Sequence, residues 1–281
     1  MTLETVEPRA LGGLAGQIDD LGYSALWYAE ARGRESFTQA GLLLSGSSRL
    51  VVASGIASIW ARDAVAAAAA SRTLNAAYRG RFLLGLGVSH QPLVERLRGH
   101  QYTSPLATMR DYLAALDHAA MISVEGDEPF ARVIAALGPA MLELGATRAN
   151  GVHTYLVTPE HTREARARVG NSFLAVEQAV VLATTREEFL RRAHAHLDFY
   201  TGLENYRASW RRAGFSDSDF IRGGSERLCE AMVVHGDEWT IAERVALHHD
   251  AGADHVCLQV LGEDARPPIE EWRRLAPALL S

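Results

Sequence analysis

Short apolar, β-rich runs alternate with helical patterns along almost the whole chain, and this alternation limits the possible folds most strongly. Most runs are continuously apolar, which is typical of parallel strands that helices cover on both faces. Parallel strands need long right-handed crossovers, and the helical segments between the runs supply them. The sequence therefore predicts a parallel α/β fold, with candidate strands at residues 24–29, 50–56, 82–86, 132–137, 151–157, 173–182 and 255–260.

Helical patterns fill the intervals between these runs. Asp63 and Thr158 precede two of the helical segments and are suitable N-caps, and Pro139 stands in the first turn of another. The 281 residues are enough for one (β/α)8 barrel, which usually needs about 250 residues. We predict a single barrel domain over residues 1–281, with helices at residues 63–77, 106–121, 139–148, 160–169 and 237–250.

Two segments depart from a complete barrel. A helix predicted at residues 9–21 is preceded only by residues 2–6, which are short and acidic for a buried strand. The first strand is therefore expected to be short or missing. Residues 191–224 form a long helical segment, rich in Arg, Tyr and Asp, before the last strand. We interpret it as an insertion over the barrel mouth or at a subunit contact, and a solvated helical hairpin explains it equally well.

Charge and composition exclude several classes of protein. The net charge of −6 argues against nucleic-acid binding, and each of the 28 basic residues is an arginine. The lack of lysine excludes a P-loop lysine and a Schiff-base lysine. No run of about 18 apolar residues predicts a membrane span, and no secretory signal is visible, so we expect a cytoplasmic protein. Cys229 and Cys257 are expected to be buried free thiols.

The segment at residues 81–90, RFLLGLGVSH, has the features of a strand that ends at a ligand site. Gly85 and Gly87 would let a flat ligand approach the backbone, and Ser89 and His90 follow at the C-terminal end, where barrel active sites lie. Tight packing between strands explains the two glycines as well. The spacing does not match the dinucleotide-binding glycine pattern.

Two further strand ends carry candidate groups. Glu30 follows a predicted strand, and its alternative role is an ion pair with Arg32, Arg34 or Arg62. Gly138 precedes a helix whose first backbone N–H groups could bind an anion. The alternative interpretation is an ordinary turn between a strand and a helix.

Neither metal binding nor hydrolase chemistry is predicted. His194 and His196 are two residues apart, so they point to different faces of a helix, and the adjacent His248 and His249 diverge likewise. The chain also lacks the zinc-protease motif and the G-x-S-x-G nucleophile motif.

Taken together, these segments resemble the luciferase-like monooxygenase superfamily, most of all its coenzyme F420-dependent oxidoreductases. The resemblance extends from about residue 22 to residue 280 and rests on five segments in the family's order. They are LGYSALWYAE, VVASGIASIWAR, RFLLGLGVSH, AALGPAMLELGATRANGVHTYLVTPEHT and AGADHVCLQVL. The resemblance implies a (β/α)8 barrel that binds a flavin or deazaflavin at the C-terminal ends of its strands.

The resemblance also implies which residues border the cofactor ring. Ser54, Gly55 and Ile56 fall where the family has a bulge against the ring, often with a non-proline cis peptide. The loop that borders the ring and the phosphate matches Gly87, Val88, Ser89 and His90.

The same resemblance implies the binding groups for the rest of the cofactor. Leu137 and Gly138 match the turn that binds the phosphate through backbone N–H groups. Arg62, together with Arg32 and Arg34, is expected to favour the acidic glutamyl tail of F420, a tail that FMN lacks.

The predicted function is hydride transfer between F420 and a small unsaturated or carbonyl-containing molecule. His90 is the first candidate for proton donor, because an unperturbed imidazole has a pKa of about 6.5. Glu30 is the second candidate, and it would orient His90 or contact the ring. The alternatives are an FMN-dependent monooxygenase and a barrel that binds a cofactor without catalysis.

The sequence does not identify the substrate, but it disfavours a sugar phosphate. Sugar-phosphate dehydrogenases of this branch have a histidine where Ala31 follows Glu30, and they have a glutamate where His90 stands. A homodimer is expected from the family.

Overall fold

The computed structural model describes residues 3–120, 130–182, 185–264 and 266–280. These residues form nine strands and eleven α-helices. The strands are β1 (Ala25–Tyr28), β2 (Val51–Ser54), β3 (Ala57–Ser58), β4 (Phe82–Gly87), β5 (Arg132–Ala135), β6 (Gly151–Thr154), β7 (Phe173–Val181), β8 (Val233–His235) and β9 (His255–Val260). All seven predicted strands are present, and the short β3 and β8 are the two that the sequence did not predict.

Helices follow the strands in the predicted order. They are α1 (Leu11–Asp20), α2 (Ser36–Leu44), α3 (Ala64–Tyr78), α4 (Pro105–Asp117), α5 (Pro139–Arg148), α6 (Pro159–Val169), α7 (Arg186–Leu197), α8 (Glu204–Arg212), α9 (Glu226–Met232), α10 (Glu238–Asp250) and α11 (Ile269–Leu279). Both predicted N-caps are confirmed, since Asp63 accepts the N–H of Ala66 and Thr158 accepts the N–H of His161. Helix α4 ends before its predicted end, and Met121 lies outside the described residues.

The chain divides into two compact units. Unit 1 comprises Met1–Ala135 and Leu144–Gly151, and unit 2 comprises Ala136–Glu143 and Val152–Ser281. The single barrel domain expected over residues 1–281 stays a prediction. In neither unit do the described residues contain a helix that is long and apolar enough to cross a membrane.

Unit 1 is built on parallel strands in the order β1–β2–β4–β5, and β3 also pairs with β4. The parallel α/β prediction is therefore confirmed here. The described residues before β1 form a 3-10 turn at Pro8–Ala10 and helix α1, and no strand among them precedes β1. This agrees with the expectation that the first strand is short or missing, although Thr2 lies outside the described residues.

Unit 2 centres on the long strand β7, which pairs in parallel with β8 and β9. The predicted insertion at 191–224 is helical, as expected, and contains the second half of α7, helix α8 and two 3-10 turns. Most of its large apolar side chains are buried in one cluster with Leu156 and Val181, so the solvated hairpin is wrong, although Phe199 and Ile221 are exposed. The indole N–H of Trp210 donates to the carbonyl of Leu156 at 3.1 Å, which fixes α8 beside the C-terminal end of β6.

Candidate functional site

The C-terminal ends of the unit 1 strands bring several predicted residues together. The N–H of Glu30 donates to the carbonyl of Ile56 at 3.2 Å, and the N–H of Ile59 donates to the carbonyl of Gly87 at 3.1 Å. The ends of β1, β2 and β4 therefore meet at one edge, as parallel strands require. The peptide bond between Gly55 and Ile56 is cis, as the resemblance implied.

Ser54 bridges two strands through its side chain. Its buried hydroxyl donates to the carbonyl of Gly85 at 2.9 Å and accepts the N–H of the same residue at 2.9 Å. These two bonds occupy the hydroxyl proton and one lone pair and tie β2 to β4. The side chain of Ser54 is thus a structural bridge, and a role in cofactor binding stays a prediction.

The glycines of β4 are required by packing, which was the alternative interpretation of this motif. A Cβ atom on Gly85 would lie 1.9 Å from the carbonyl oxygen of Ser54, and one on Gly87 would lie 2.4 Å from Cδ1 of Ile56. Real carbon atoms do not approach so closely, so only glycine fits at position 85, where the clash is with the backbone, and a side chain at position 87 would have to displace Ile56. The space that each glycine leaves is filled by protein.

The loop after β4 is held by aromatic side chains that the sequence interpretation did not single out for binding. The indole N–H of Trp60 donates to the carbonyl of Val88 at 2.9 Å, and the hydroxyl of Tyr102 donates to the carbonyl of Ser89 at 3.3 Å. Ser89 has a left-handed backbone with φ of 57°, and it turns the chain into the helical turn that follows His90. The position of His90 at a strand end is therefore fixed by its neighbours.

Burial changes the expected chemistry of His90. It lowers the pKa of the imidazole from 6.5 to about 4. At neutral pH the imidazole of His90 is therefore largely in its neutral form. The ordinary pKa expected for His90 therefore does not hold, and a neutral imidazole is the form available for chemistry. Its predicted role in catalysis stays a prediction.

Glu30 is held in a buried ion pair with Arg62, as its alternative interpretation predicted. The side chains of Arg62 and Glu30 are only 10% and 4% exposed. The carboxylate also accepts the N–H of Ser36 at 3.2 Å and the N–H of Ser58 at 2.8 Å. Glu30 is thus a positioning residue that links α2, β3 and Arg62, and its predicted role in catalysis stays untested.

A cleft of about 330 Å³ lies beside this pair in unit 1, and we call it the arginine cleft. It is lined by Arg32, Arg34, Arg62, Arg98, Glu30, Glu35, Leu97 and three small residues. Four cations face two carboxylates, so the lining carries an excess of two positive charges.

The four arginines of this cleft differ in how they are paired. Arg62 contacts both Glu30 and Glu35, so its charge is already balanced, against the expectation that it binds an acidic tail. Arg34 donates to the carbonyls of Leu3 and Val6. Across the described ranges, the guanidinium groups of Arg32 and Arg98 have no carboxylate partner. Arg98 was missed although it lies only eight residues after His90, because no local pattern shows that this side chain reaches the cleft.

The predicted phosphate turn lies in unit 2, at the start of α5. A Cβ atom on Gly138 would meet nothing within 4 Å, so open space faces this residue. The carbonyl of Leu137 accepts from His161 Nε2 at 3.2 Å and from the exposed Arg212 guanidinium at 3.1 Å. Arg212 therefore places a fixed cation beside a helix N-terminus, where an anion is stabilised. It was missed because it lies in the insertion.

Comparison with known proteins places these features in a family. The model of the luciferase-like monooxygenase family matches residues 1–255. A Mycobacterium tuberculosis protein, whose name assigns it to the coenzyme F420-dependent oxidoreductases, is 32% identical over 106 residues. That match spans 38% of this chain and only 30% of the relative.

Solved structures share the fold at low sequence identity. An F420-dependent secondary alcohol dehydrogenase, solved with an F420–acetone adduct, has a TM-score of 0.76 at 13% identity, covering 99% of this chain and 97% of that one. The F420-dependent tetrahydromethanopterin reductase of Methanopyrus kandleri has a TM-score of 0.73 at 16% identity, with coverage of 99% and 96%.

An FMN-bound enzyme has a similar fold. This type II Baeyer–Villiger monooxygenase, encoded on a plasmid of Pseudomonas putida, has a TM-score of 0.67 at 15% identity, covering 96% of this chain and 92% of that one. The relatives named here are enzymes, which confirms the prediction of an enzyme, and they include both cofactor types. The match over residues 1–255 shows that the chain belongs to the luciferase-like monooxygenase family.

Proposed function

We propose that the protein is an F420-dependent oxidoreductase that acts on a small unsaturated or carbonyl-containing molecule. The observation that carries this proposal is the arginine cleft, where Arg32 and Arg98 have no carboxylate partner in the described part of the chain. Guanidinium groups bind carboxylates through paired N–H donors, so they suit the acidic glutamyl tail of F420. The F420-dependent relatives support the same choice.

Unit 2 holds a separate feature that suits a cofactor phosphate. The first turn of α5 presents backbone N–H groups beside the open space at Gly138, and Arg212 adds a fixed positive charge there. The deazaflavin, when bound, supplies the carbon that takes up or releases the hydride.

His90 supplies the proton chemistry of the proposed reaction in its neutral form. A neutral imidazole has one N–H donor and one acceptor nitrogen, so it can hold a substrate oxygen by hydrogen bonding or accept its proton. Glu30 and Arg62 keep the strand ends in place through their buried pair.

The identity of the cofactor is tested by titrating the purified protein with F420 and with FMN while binding is monitored by fluorescence. Wild type should bind F420 more tightly than FMN. The variant with Arg32→Gln and Arg98→Gln should bind F420 about thirtyfold more weakly, because it loses two charge-assisted contacts of on the order of 1 kcal/mol each. Binding of the same deazaflavin without its glutamyl residues should not change.

Arg96→Gln is the matched control, because Arg96 lies two residues from Arg98 but does not line the arginine cleft. It should bind F420 like wild type. Tighter binding of FMN than of F420 would instead support the second candidate, an FMN-dependent monooxygenase, which the FMN-bound neighbour favours. Binding of neither cofactor would contradict both proposals and leave a barrel without this chemistry.

His90→Gln should lower the turnover of the F420-dependent reaction by about a hundredfold, which is the usual contribution of a positioned acid–base group. Its affinity for F420 should stay within about twofold of wild type, because the imidazole is assigned to proton chemistry. Steady-state rates and the same fluorescence titration measure both quantities. Unchanged turnover would remove His90 from the mechanism.

A further inference from the structure

One carboxylate already lies against the arginine cleft, and it belongs to the chain itself. Oε1 of Glu4 accepts the backbone N–H of Arg32 at 3.0 Å and the backbone N–H of Gly33 at 2.8 Å. Arg32 and Gly33 both line the cleft, whereas Glu4 does not. Two successive backbone N–H groups that converge on one oxygen form a small anion-binding site. The edge of the arginine cleft can therefore hold a carboxylate.

Gly33 leaves the space in which the Glu4 side chain lies. A Cβ atom on Gly33 would be 2.7 Å from Cγ of Glu4 and 2.9 Å from its Cδ. Contacts this short would push the carboxylate away from the two N–H groups. The missing side chain at residue 33 therefore keeps the N–H pair accessible, and the Glu4 carboxylate occupies the space beside it.

The backbone of the segment that carries Glu4 is held by contacts other than this carboxylate. Leu3 is fully buried, and the guanidinium group of Arg34 donates to the carbonyls of Leu3 and Val6. Glu4 itself is exposed. Exposed side chains change rotamer rapidly, so the Glu4 carboxylate can leave the N–H pair while Leu3 and Arg34 keep the backbone in place.

The charges around this position favour a ligand with more than one carboxylate. Arg32 and Arg98 line the cleft, and their guanidinium groups have no carboxylate partner among the residues that the structure describes. Glu4 bonds to the backbone of Arg32 and forms no ion pair with its guanidinium group. A ligand with several carboxylates could replace Glu4 at the N–H pair and also bind the guanidinium groups, which gives it contacts that Glu4 alone does not make.

We propose that the N–H pair of Arg32 and Gly33 is a carboxylate-binding site, which Glu4 occupies as an internal competitor until a glutamyl carboxylate of the F420 tail displaces it. This inference rests on the proposed function, because it names a binding site and a competing group for the same acidic tail. Glu4 then weakens the binding of every anion at this edge. Tails with several carboxylates overcome this competition better than singly charged anions, so Glu4 contributes to specificity.

The test measures binding of a fluorescently labelled tri-γ-glutamate peptide to the full chain by fluorescence anisotropy. Glu4→Gln should bind the peptide about fivefold more tightly than wild type, because it removes a negative charge that competes with the ligand and repels it. Glu4→Ala should show at least the same gain, since it also clears the N–H pair. The gain should shrink when salt is raised from about 0.05 M to about 0.5 M, because salt screens exposed charges.

Glu7→Gln is the matched control for the change in charge. Glu7 is exposed and close to Glu4 in sequence, and its side chain makes no capping hydrogen bond. The variant removes the same charge without changing the N–H pair, so its affinity for the peptide should stay within about twofold of wild type. The same label on a tri-glutamine peptide should bind wild type and Glu4→Gln equally, which separates the carboxylates from the label.

Weaker peptide binding in Glu4→Gln and Glu4→Ala would mean that Glu4 only holds the chain around Arg32 in place, and it would overturn the inference. Equal affinity of wild type and both variants would overturn it as well, as would a lack of peptide binding in all three proteins. The measurement does not need F420. If the peptide binds as expected and F420 does not bind, the carboxylate site stands and the proposed cofactor falls, so the two proposals fail separately.

Discussion

Replacing Arg62 by methionine should destabilise the protein by about 3–5 kcal/mol, because the change leaves the buried Glu30 carboxylate without its cation. The Glu30 side chain is 4% exposed, so water cannot replace the lost partner. Two backbone N–H groups, those of Ser36 and Ser58, would still donate to the carboxylate but cannot neutralise it. Urea unfolding monitored by circular dichroism measures the difference.

Two further variants separate burial from charge in this experiment. The double variant Glu30→Gln with Arg62→Met removes both charges, so much of the lost stability should return. Arg222→Met breaks an ion pair with Asp198 in which the arginine is 89% exposed, and should cost less than about 1 kcal/mol. If Arg62→Met unfolds within about 1 kcal/mol of wild type, the pair does not have the structural role assigned to it.

The Glu30–Arg62 pair also shows which parts of the site could be predicted from the sequence. Strands, helices and caps depend on local patterns, so Asp63 and Thr158 were found from a few neighbouring residues. The choice of Arg62 rather than Arg32 or Arg34 as the partner of Glu30 depends on tertiary distance. No local pattern records that distance, so the sequence allowed each of the three arginines as the partner of Glu30.

Burial is the second property that the sequence did not reveal. His90 stands at a strand end, as predicted, but its low pKa follows from the surrounding protein and is not encoded in the motif. Arg98 and Arg212 were missed for a similar reason, since each reaches its position through a loop or an inserted helix. The Gly55–Ile56 cis peptide was foreseen only through resemblance to the family.

For the two glycines of β4, the sequence allowed two explanations, which are approach of a flat ligand and tight packing between strands. Adding a single methyl group distinguishes between these explanations. Gly85→Ala should destabilise the protein by more than about 3 kcal/mol or prevent folding. The added Cβ would lie 1.9 Å from the carbonyl oxygen of Ser54, a backbone atom that can move only if β2 and β4 separate. Separation would also break both hydrogen bonds between the Ser54 hydroxyl and Gly85.

Two matched glycine variants make this result specific. In Gly87→Ala the new methyl group would meet Cδ1 of Ile56 at 2.4 Å, the end of a flexible side chain, so the loss of stability should be smaller than for Gly85→Ala. Gly138→Ala adds a methyl group with nothing within 4 Å, and its unfolding free energy should stay within about 1 kcal/mol of wild type. Soluble yield and thermal unfolding rank the three variants. A Gly85→Ala protein as stable as Gly138→Ala would mean that β2 and β4 are not packed through this glycine, and that the space beside it is available to a ligand.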